Sequence, residues 1–220
     1  MDAFEVIPAS AGPIGLFSSD EFLPGALAFD DALIGVSGSE IAVLFCADHR
    51  NASHNARNAE RHFAKLGARA TPLPIRHQPA NADIDILPAF DLLYLPGGSP
   101  TELLACLTGT YVWRAIEQRW REGAALAGSS AGAMALCSQC MLPRPGDDRP
   151  MTWGRGLGPL QQMAVAVHAT SRPKQWLEQM ARSAPVPLLA VDDSTGVLLR
   201  ADAAPEVIGS GRAWFVPSQG

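Results

Sequence analysis

Ala124-Ala125-Leu126-Ala127-Gly128-Ser129-Ser130-Ala131-Gly132-Ala133 is the stretch on which the reading of this chain turns. Four small apolar residues of strand length run into a sharp Gly-x-Ser-x-Gly turn, and an Ala-rich run of helical composition follows. A serine between a strand and a helix in this pattern is a nucleophile elbow: the strained turn lifts the hydroxyl into a cleft. The flanking glycines allow that backbone and let neighbouring elements approach without a Cβ clash. At the head of a helix, the N–H of Ala131 and the helix dipole also lie near a developing oxyanion. Ser130 is therefore the candidate nucleophile.

Working outward, apolar runs alternate with amphipathic helical stretches, the signature of βαβ units. Strands are expected at Ile14–Ser18, Ile41–Ala47, Ala70–Ile75 (an edge, given its two prolines), Asp91–Leu95 and Ala124–Ala127. Helices are expected at Asn55–Leu66, closed by Gly67, then at Pro100–Leu107, Val112–Arg121 and Ala131–Cys140. Leu142–Pro159 is rich in Pro, Gly and charge and reads as a loop. Met163–Val167, Pro173–Arg182 and Leu188–Val191 repeat the strand–helix–strand rhythm. Val197–Leu199, Glu206–Ile208 and Ala213–Val216 read as short antiparallel strands. The expected architecture is a flavodoxin-like, doubly wound α/β fold with a mostly parallel sheet and helices on both faces, in a single domain over residues 1–220.

Composition narrows the function. With 220 residues, 47% of them hydrophobic, the chain can bury a core and support a recessed site. A net charge of −5 with 17 scattered Lys and Arg argues against nucleic acid as a partner. No run approaches a membrane span. Met1–Phe17 has no basic residue ahead of an apolar stretch, so it does not read as a signal peptide, and a cytoplasmic location is expected. Cys46, Cys106, Cys137 and Cys140 then read as reduced, buried thiols, the last two on a helix. Cys137 and Cys140 have metal-pair spacing but no second pair to complete a site, so no metal or other cofactor is expected.

A serine nucleophile needs a base and a group to orient it. Among five histidines, His54 and His62 lie on or beside an amphipathic helix and His77 in a polar loop, where solvation is expected. His49 could reach the sheet's C-terminal edge, but His168 follows an apolar strand directly and is the better base. Two acidic pairs compete for the third role. Asp192 and Asp193 end the strand Leu188–Val191 and are preferred; Asp147 and Asp148, in the long loop, are the alternative. The turn Pro96-Gly97-Gly98-Ser99 could present a backbone N–H across from Ala131.

These segments together resemble the aspartyl dipeptidase (peptidase E) and cyanophycinase family of serine peptidases, whose fold is like that of class I glutamine amidotransferases. The resemblance rests on Leu95-Pro96-Gly97-Gly98-Ser99-Pro100-Thr101-Glu102-Leu103-Leu104, on Gly128-Ser129-Ser130-Ala131-Gly132-Ala133, on Val167-His168-Ala169-Thr170-Ser171-Arg172 and on Val191-Asp192-Asp193-Ser194-Thr195. Ser19-Asp20-Glu21-Phe22-Leu23-Pro24-Gly25 is also similar. It implies Ser130 as nucleophile, His168 as base, Gly98 and Ala131 as oxyanion donors, and Asp193 as the acid, or else Asp147 or Asp148. Arg172 would pair with an acidic substrate side chain, with Gly97 and Ser99 beside it. Departures are Ser99 in place of Asn or Asp, Ala169 in place of Phe, Asp193 in place of Glu, and Ala166-Val167 in place of Asp-Gln; the last weighs against cyanophycin as substrate.

The expectation is a serine peptidase that cleaves small peptides after an N-terminal acidic residue. The alternatives are a cyanophycinase-like or isoaspartyl peptidase, an esterase with the order Ser130, Asp147 or Asp148, His168, and an inactive binding module of the same fold. Oligomeric state is left open between monomer and homodimer.

Overall fold

A computed structural model of the chain describes residues 7–46, 52–75, 85, 87–143, 151–201 and 203–217. Its centre is a seven-stranded sheet. Strands β1 (Ile14–Phe17), β2 (Glu40–Phe45), β3 (Arg69–Pro74), β4 (Leu92–Leu95) and β5 (Ala125–Ser129) are parallel. β10 (Thr195–Arg200) and β11 (Ala203–Gly209) add antiparallel strands beside β1, giving the order β11-β10-β1-β5-β4-β2-β3. β3, with prolines 72 and 74, lies at the edge as expected.

The sheet separates two cores, and β2 shows why its sequence is apolar throughout. Ile41, Val43 and Phe45 join one core; Ala42, Leu44 and Cys46 join the other. A strand covered on both faces needs apolar residues at both parities. The first face is covered by α1 (Leu27–Ser37) and α2 (Ala52–Lys65), through Phe29, Leu33, Ala59 and Phe63. The second is covered by α3 (Pro100–Leu107), α4 (Tyr111–Arg121) and α5 (Ala131–Leu136). Ser99 and Thr110 cap α3 and α4, accepting from the N–H groups of Glu102 and Trp113. Each such cap contributes about 1 kcal/mol.

Four sequence expectations need correction. Helix α1 was not expected: Leu-Ala-Phe-Asp-Asp-Ala-Leu-Ile-Gly-Val-Ser has no clear polar stripe, so its periodicity is weak. The helix after the elbow ends at Leu136, not Cys140. Cys137 turns extended and bridges Leu160, and Ser138 N–H donates to Leu160 O at 2.7 Å. Cys137 and Cys140 are buried free thiols as read, but not on a helix. Part of the expected loop 142–159 is a hairpin of β6 (Gln139–Pro143) and β7 (Met151–Arg155). Beside the large sheet, the expected strand–helix–strand segment forms a second one: β8 (Ala164–Ala166), β9 (Leu188–Val191) and β12 (Ala213–Val216) make a three-stranded sheet, with α6 (Lys174–Ser183) connecting β8 to β9. β8 and β9 are parallel, Ala166 opposite Ala190, so the segments that follow them leave from the same edge. Among the described residues no helix is long and apolar enough to cross a membrane.

Candidate active site

Ser130 stands between β5 and α5 with φ +49° and ψ −111°, a backbone state that side chains other than glycine rarely adopt. Tight packing holds it there. A Cβ on Gly128 would collide with the backbone of Gly132, and one on Gly132 would collide with the Leu95 carbonyl. Both glycines of the elbow are thus required by close approach of β5, α5 and the end of β4. The Ser130 N–H donates to Phe17 O at 3.0 Å, which ties the turn to β1.

His168 comes to Ser130 from the end of β8. Its Nε2 lies 3.1 Å from Ser130 Oγ, and its Nδ1 lies 3.0 Å from Asp193 Oδ1. His168 is also left-handed, at φ +57° and ψ +37°. A hydroxyl fixes this conformation: the His168 N–H donates to Ser18 Oγ at 2.7 Å, and Ser18 donates onward to Val191 O at 3.0 Å. One buried serine at the end of β1 thereby joins the large sheet to the small one.

The neighbouring aspartates have different tasks. Asp193 accepts from His168 through Oδ1 and from Ser171 Oγ through Oδ2, the latter at 3.1 Å. Partial burial pushes its carboxyl upward, but hydrogen bonds from His168, Ser19 and Ser171 and the charge of His168 outweigh this and hold it below its ordinary value. An ionised Asp193 can only accept, so Nδ1 carries the proton. In the neutral ring Nε2 is then free to accept from Ser130. Asp192 instead takes the Arg212 N–H at 3.0 Å and the Thr170 hydroxyl at 3.1 Å. Thr170 Oγ1 also accepts the Asp193 N–H at 3.0 Å, which fixes the two aspartates relative to each other. Asp147 and Asp148 lie outside the described residues, as do His49 and His77.

Opposite the elbow, Gly98 follows β4 with φ +130°, open to glycine alone in practice. The Gly97 N–H is engaged by Glu21 Oε1 at 3.0 Å, and Glu21 Oε2 accepts the Ser129 hydroxyl at 2.6 Å. Ala131, the first residue of α5, is buried. Glu21, Ser18, Thr170 and Ser171 carry no role in the sequence reading. The only signal for Glu21, Thr170 and Ser171 was their place in segments that resemble a family, and Ser18 had none beyond ending an expected strand, because each acts across more than 20 positions of chain.

Arg172 follows His168 by one 3-10 turn. Its guanidinium carbon lies 4.8 Å from the centre of the Trp176 ring, and no carboxylate among the described residues is within ion-pair distance of it. With Thr170, Asp192, Arg212 and Trp214 it lines a cavity of about 500 Å³ beside the Asp192–Asp193 turn.

Among the histidines read as solvated, His54 is exposed but His62 is not. His62 is 2% exposed, with Nε2 at 2.7 Å from Asp30 Oδ2 on the unexpected helix α1. Burial pushes the Asp30 carboxyl up, against the pull of His62.

The chain also matches known proteins. A family model described as peptidase family S51 matches residues 29–207. A crystal structure of a peptidase from an acI-B1 Actinobacterium superimposes with a TM-score of 0.79 at 22% identity, covering 96% of this chain and 93% of that one. A putative peptidase E protein from Listeria monocytogenes EGD-e superimposes with a TM-score of 0.67 at 16% identity, covering 91% and 100%. At these identities the two structures speak for the fold. No curated protein matches the sequence.

Proposed function

Since the chain belongs to peptidase family S51 and is a serine peptidase, we propose that Ser130 is its nucleophile, His168 the general base and Asp193 the acid that orients the base. The observation that carries this reading is the unbroken line from Ser130 Oγ to His168 Nε2, and from His168 Nδ1 to Asp193 Oδ1. As Ser130 Oγ bonds to the scissile carbonyl carbon, its proton passes to His168 Nε2. The carbonyl oxygen becomes an oxyanion facing the N–H groups of Gly98 and Ala131. Collapse breaks the C–N bond, and the proton on Nε2 goes to the leaving amine. Water then repeats the sequence on the acyl-enzyme, losing its proton to Nε2 and returning Ser130 to its starting state. Asp193 stays ionised throughout and stabilises the imidazolium. With Asp193 at Nδ1, the acid position is filled without Asp147 or Asp148.

The substrate we propose is a small peptide with an N-terminal acidic residue. Arg172 supports this: a guanidinium over the Trp176 ring, without a described carboxylate partner, retains its fork for a substrate carboxylate. A serine-directed fluorophosphonate tests the nucleophile, and cleavage of Asp-Leu beside Asn-Leu and Ala-Leu tests the substrate class. Labelling on a serine other than Ser130, or equal cleavage of the three dipeptides, would overturn the corresponding half.

A further inference from the structure

The segment that follows β1 touches every loop of the site. Ser18 holds the His168 N–H, Ser19 Oγ accepts the Ser194 N–H at 3.0 Å, and Asp20 Oδ2 accepts the Ser194 hydroxyl at 2.8 Å. Glu21 reaches furthest. Its two carboxylate oxygens bridge Gly97 N–H, on the turn after β4, and Ser129 Oγ, next to the nucleophile position. A Cβ on Gly97 would collide with the Glu21 carboxylate, so the turn is packed directly on it. The residues on either side of Glu21 are both left-handed, Asp20 at φ +64° and Phe22 at φ +62°. Neither is a glycine, and such strain persists only where surrounding contacts over-determine it.

We propose that Glu21 is a positioning residue for acylation: it sets the distance between the Gly97-Gly98 turn and the elbow, so that the Gly98 and Ala131 N–H groups converge on one oxygen. This rests on the assignment of Ser130 as nucleophile. The role is one of position rather than field. A carboxylate near a developing oxyanion opposes it by charge, so the benefit of Glu21 comes from what it holds. Accepting the Gly97 N–H fixes the peptide that leads into Gly98, and accepting the Ser129 hydroxyl fixes the other loop to the same anchor. A misplacement of about 1 Å in such a site costs about 100-fold in rate.

The distinction between position and charge makes the test selective. Glutamine is nearly isosteric: its carbonyl accepts from Gly97 N–H and its amide donates to Ser129 Oγ, which keeps the bridge without the charge. The second-order rate of fluorophosphonate labelling, together with kcat and KM on Asp-Leu, is measured for wild type, Glu21→Ala, Glu21→Gln, Ser129→Ala and Ser130→Ala. Glu21→Ala should slow labelling about 100-fold and lower kcat with KM little changed, whereas Glu21→Gln should stay within about 5-fold of wild type. Ser129→Ala, which removes one arm of the bridge and leaves the carboxylate, should slow labelling by several-fold and decides the matter if Glu21→Ala does not fold. Wild-type labelling rates in Glu21→Ala, or in Ser129→Ala should that be the deciding variant, overturn the proposal. So does a Glu21→Gln as slow as Glu21→Ala. Ser130→Ala should not label; if it does, the nucleophile assignment fails instead, a result separate from any seen at Glu21.

Discussion

Ser130 Oγ and His168 Nε2 stand 3.1 Å apart across 38 positions of sequence, and both residues hold a left-handed φ, +49° and +57°. The geometry that brings the hydroxyl to the imidazole is bought with backbone strain at each end. Such residues cost on the order of 1–3 kcal/mol each.

Both Ser130→Ala and Ser130→Gly should therefore lose peptidase activity by several orders of magnitude, yet they should differ in stability. Glycine relieves the strain at φ +49° and alanine does not. Ser130→Gly is expected to be more stable than Ser130→Ala by about 1 kcal/mol, the reverse of their usual order. Urea denaturation of the two variants checks this, and an alanine variant at least as stable as the glycine one would contradict it.

Asp193→Asn should lower kcat by about 10³- to 10⁴-fold through loss of the imidazole's orientation. Asp192→Asn, whose carboxylate holds Thr170 and Arg212 instead, should cost about 10-fold or less. Stability should follow pH with a definite sign. Because the folded Asp193 pKa is depressed, its contribution is present above the unfolded value of about 3.9 and is lost as pH falls through the folded value. The gap between wild type and Asp193→Asn should narrow as pH falls below about 4. The gap will be small, since the pair is partly exposed.

Arg172→Met should erase discrimination between Asp-Leu and Asn-Leu while sparing cleavage of the neutral peptide. A charge-assisted bond to the substrate carboxylate is worth about 1.5–3 kcal/mol, or about 10- to 150-fold in kcat/KM. An Arg172→Met enzyme that still prefers Asp-Leu would move the specificity to another cation, with Arg212 of the same cavity the first to examine.

His62→Leu should destabilise the fold by about 3–5 kcal/mol, because it leaves Asp30 buried without its partner. Replacing both, as Asp30→Leu with His62→Leu, should recover most of that loss. A thermal melt of the two variants measures the difference, and additive losses in the pair would argue against a coupled interaction.

Much of this was legible along the chain. The continuous apolar runs that became β2, β4 and β9 are those of strands buried on both faces, and Gly128-Ser129-Ser130-Ala131-Gly132 specified its own strand–turn–helix context. Local pattern failed where burial contradicted polarity or where apolar residues surrounded a helix. His62 reads as solvated because its neighbours on α2 are polar, and only docking against Asp30 of α1 buries it. Helix α1 was missed because it buries Phe29, Asp30 and Leu33 while exposing Ala28, Gly35 and Val36, so its apolar residues mark no single face.

The sequence by itself determined most strands, most helices, the family resemblance and the shape of the elbow, since each depends on residues within a few positions of one another. Apart from the family resemblance, it could not choose between Asp192 and Asp193. Adjacent side chains point to different sides of the backbone, and which side faces His168 depends on the pairing of β8 with β9 and on Thr170 and Ser171. Nor could it assign tasks to Ser18 and Glu21, whose partners lie 150 and 108 positions away. Tertiary structure decided these because a hydrogen bond needs its partners within about 3 Å, and only the folded sheet edge brings those segments so close.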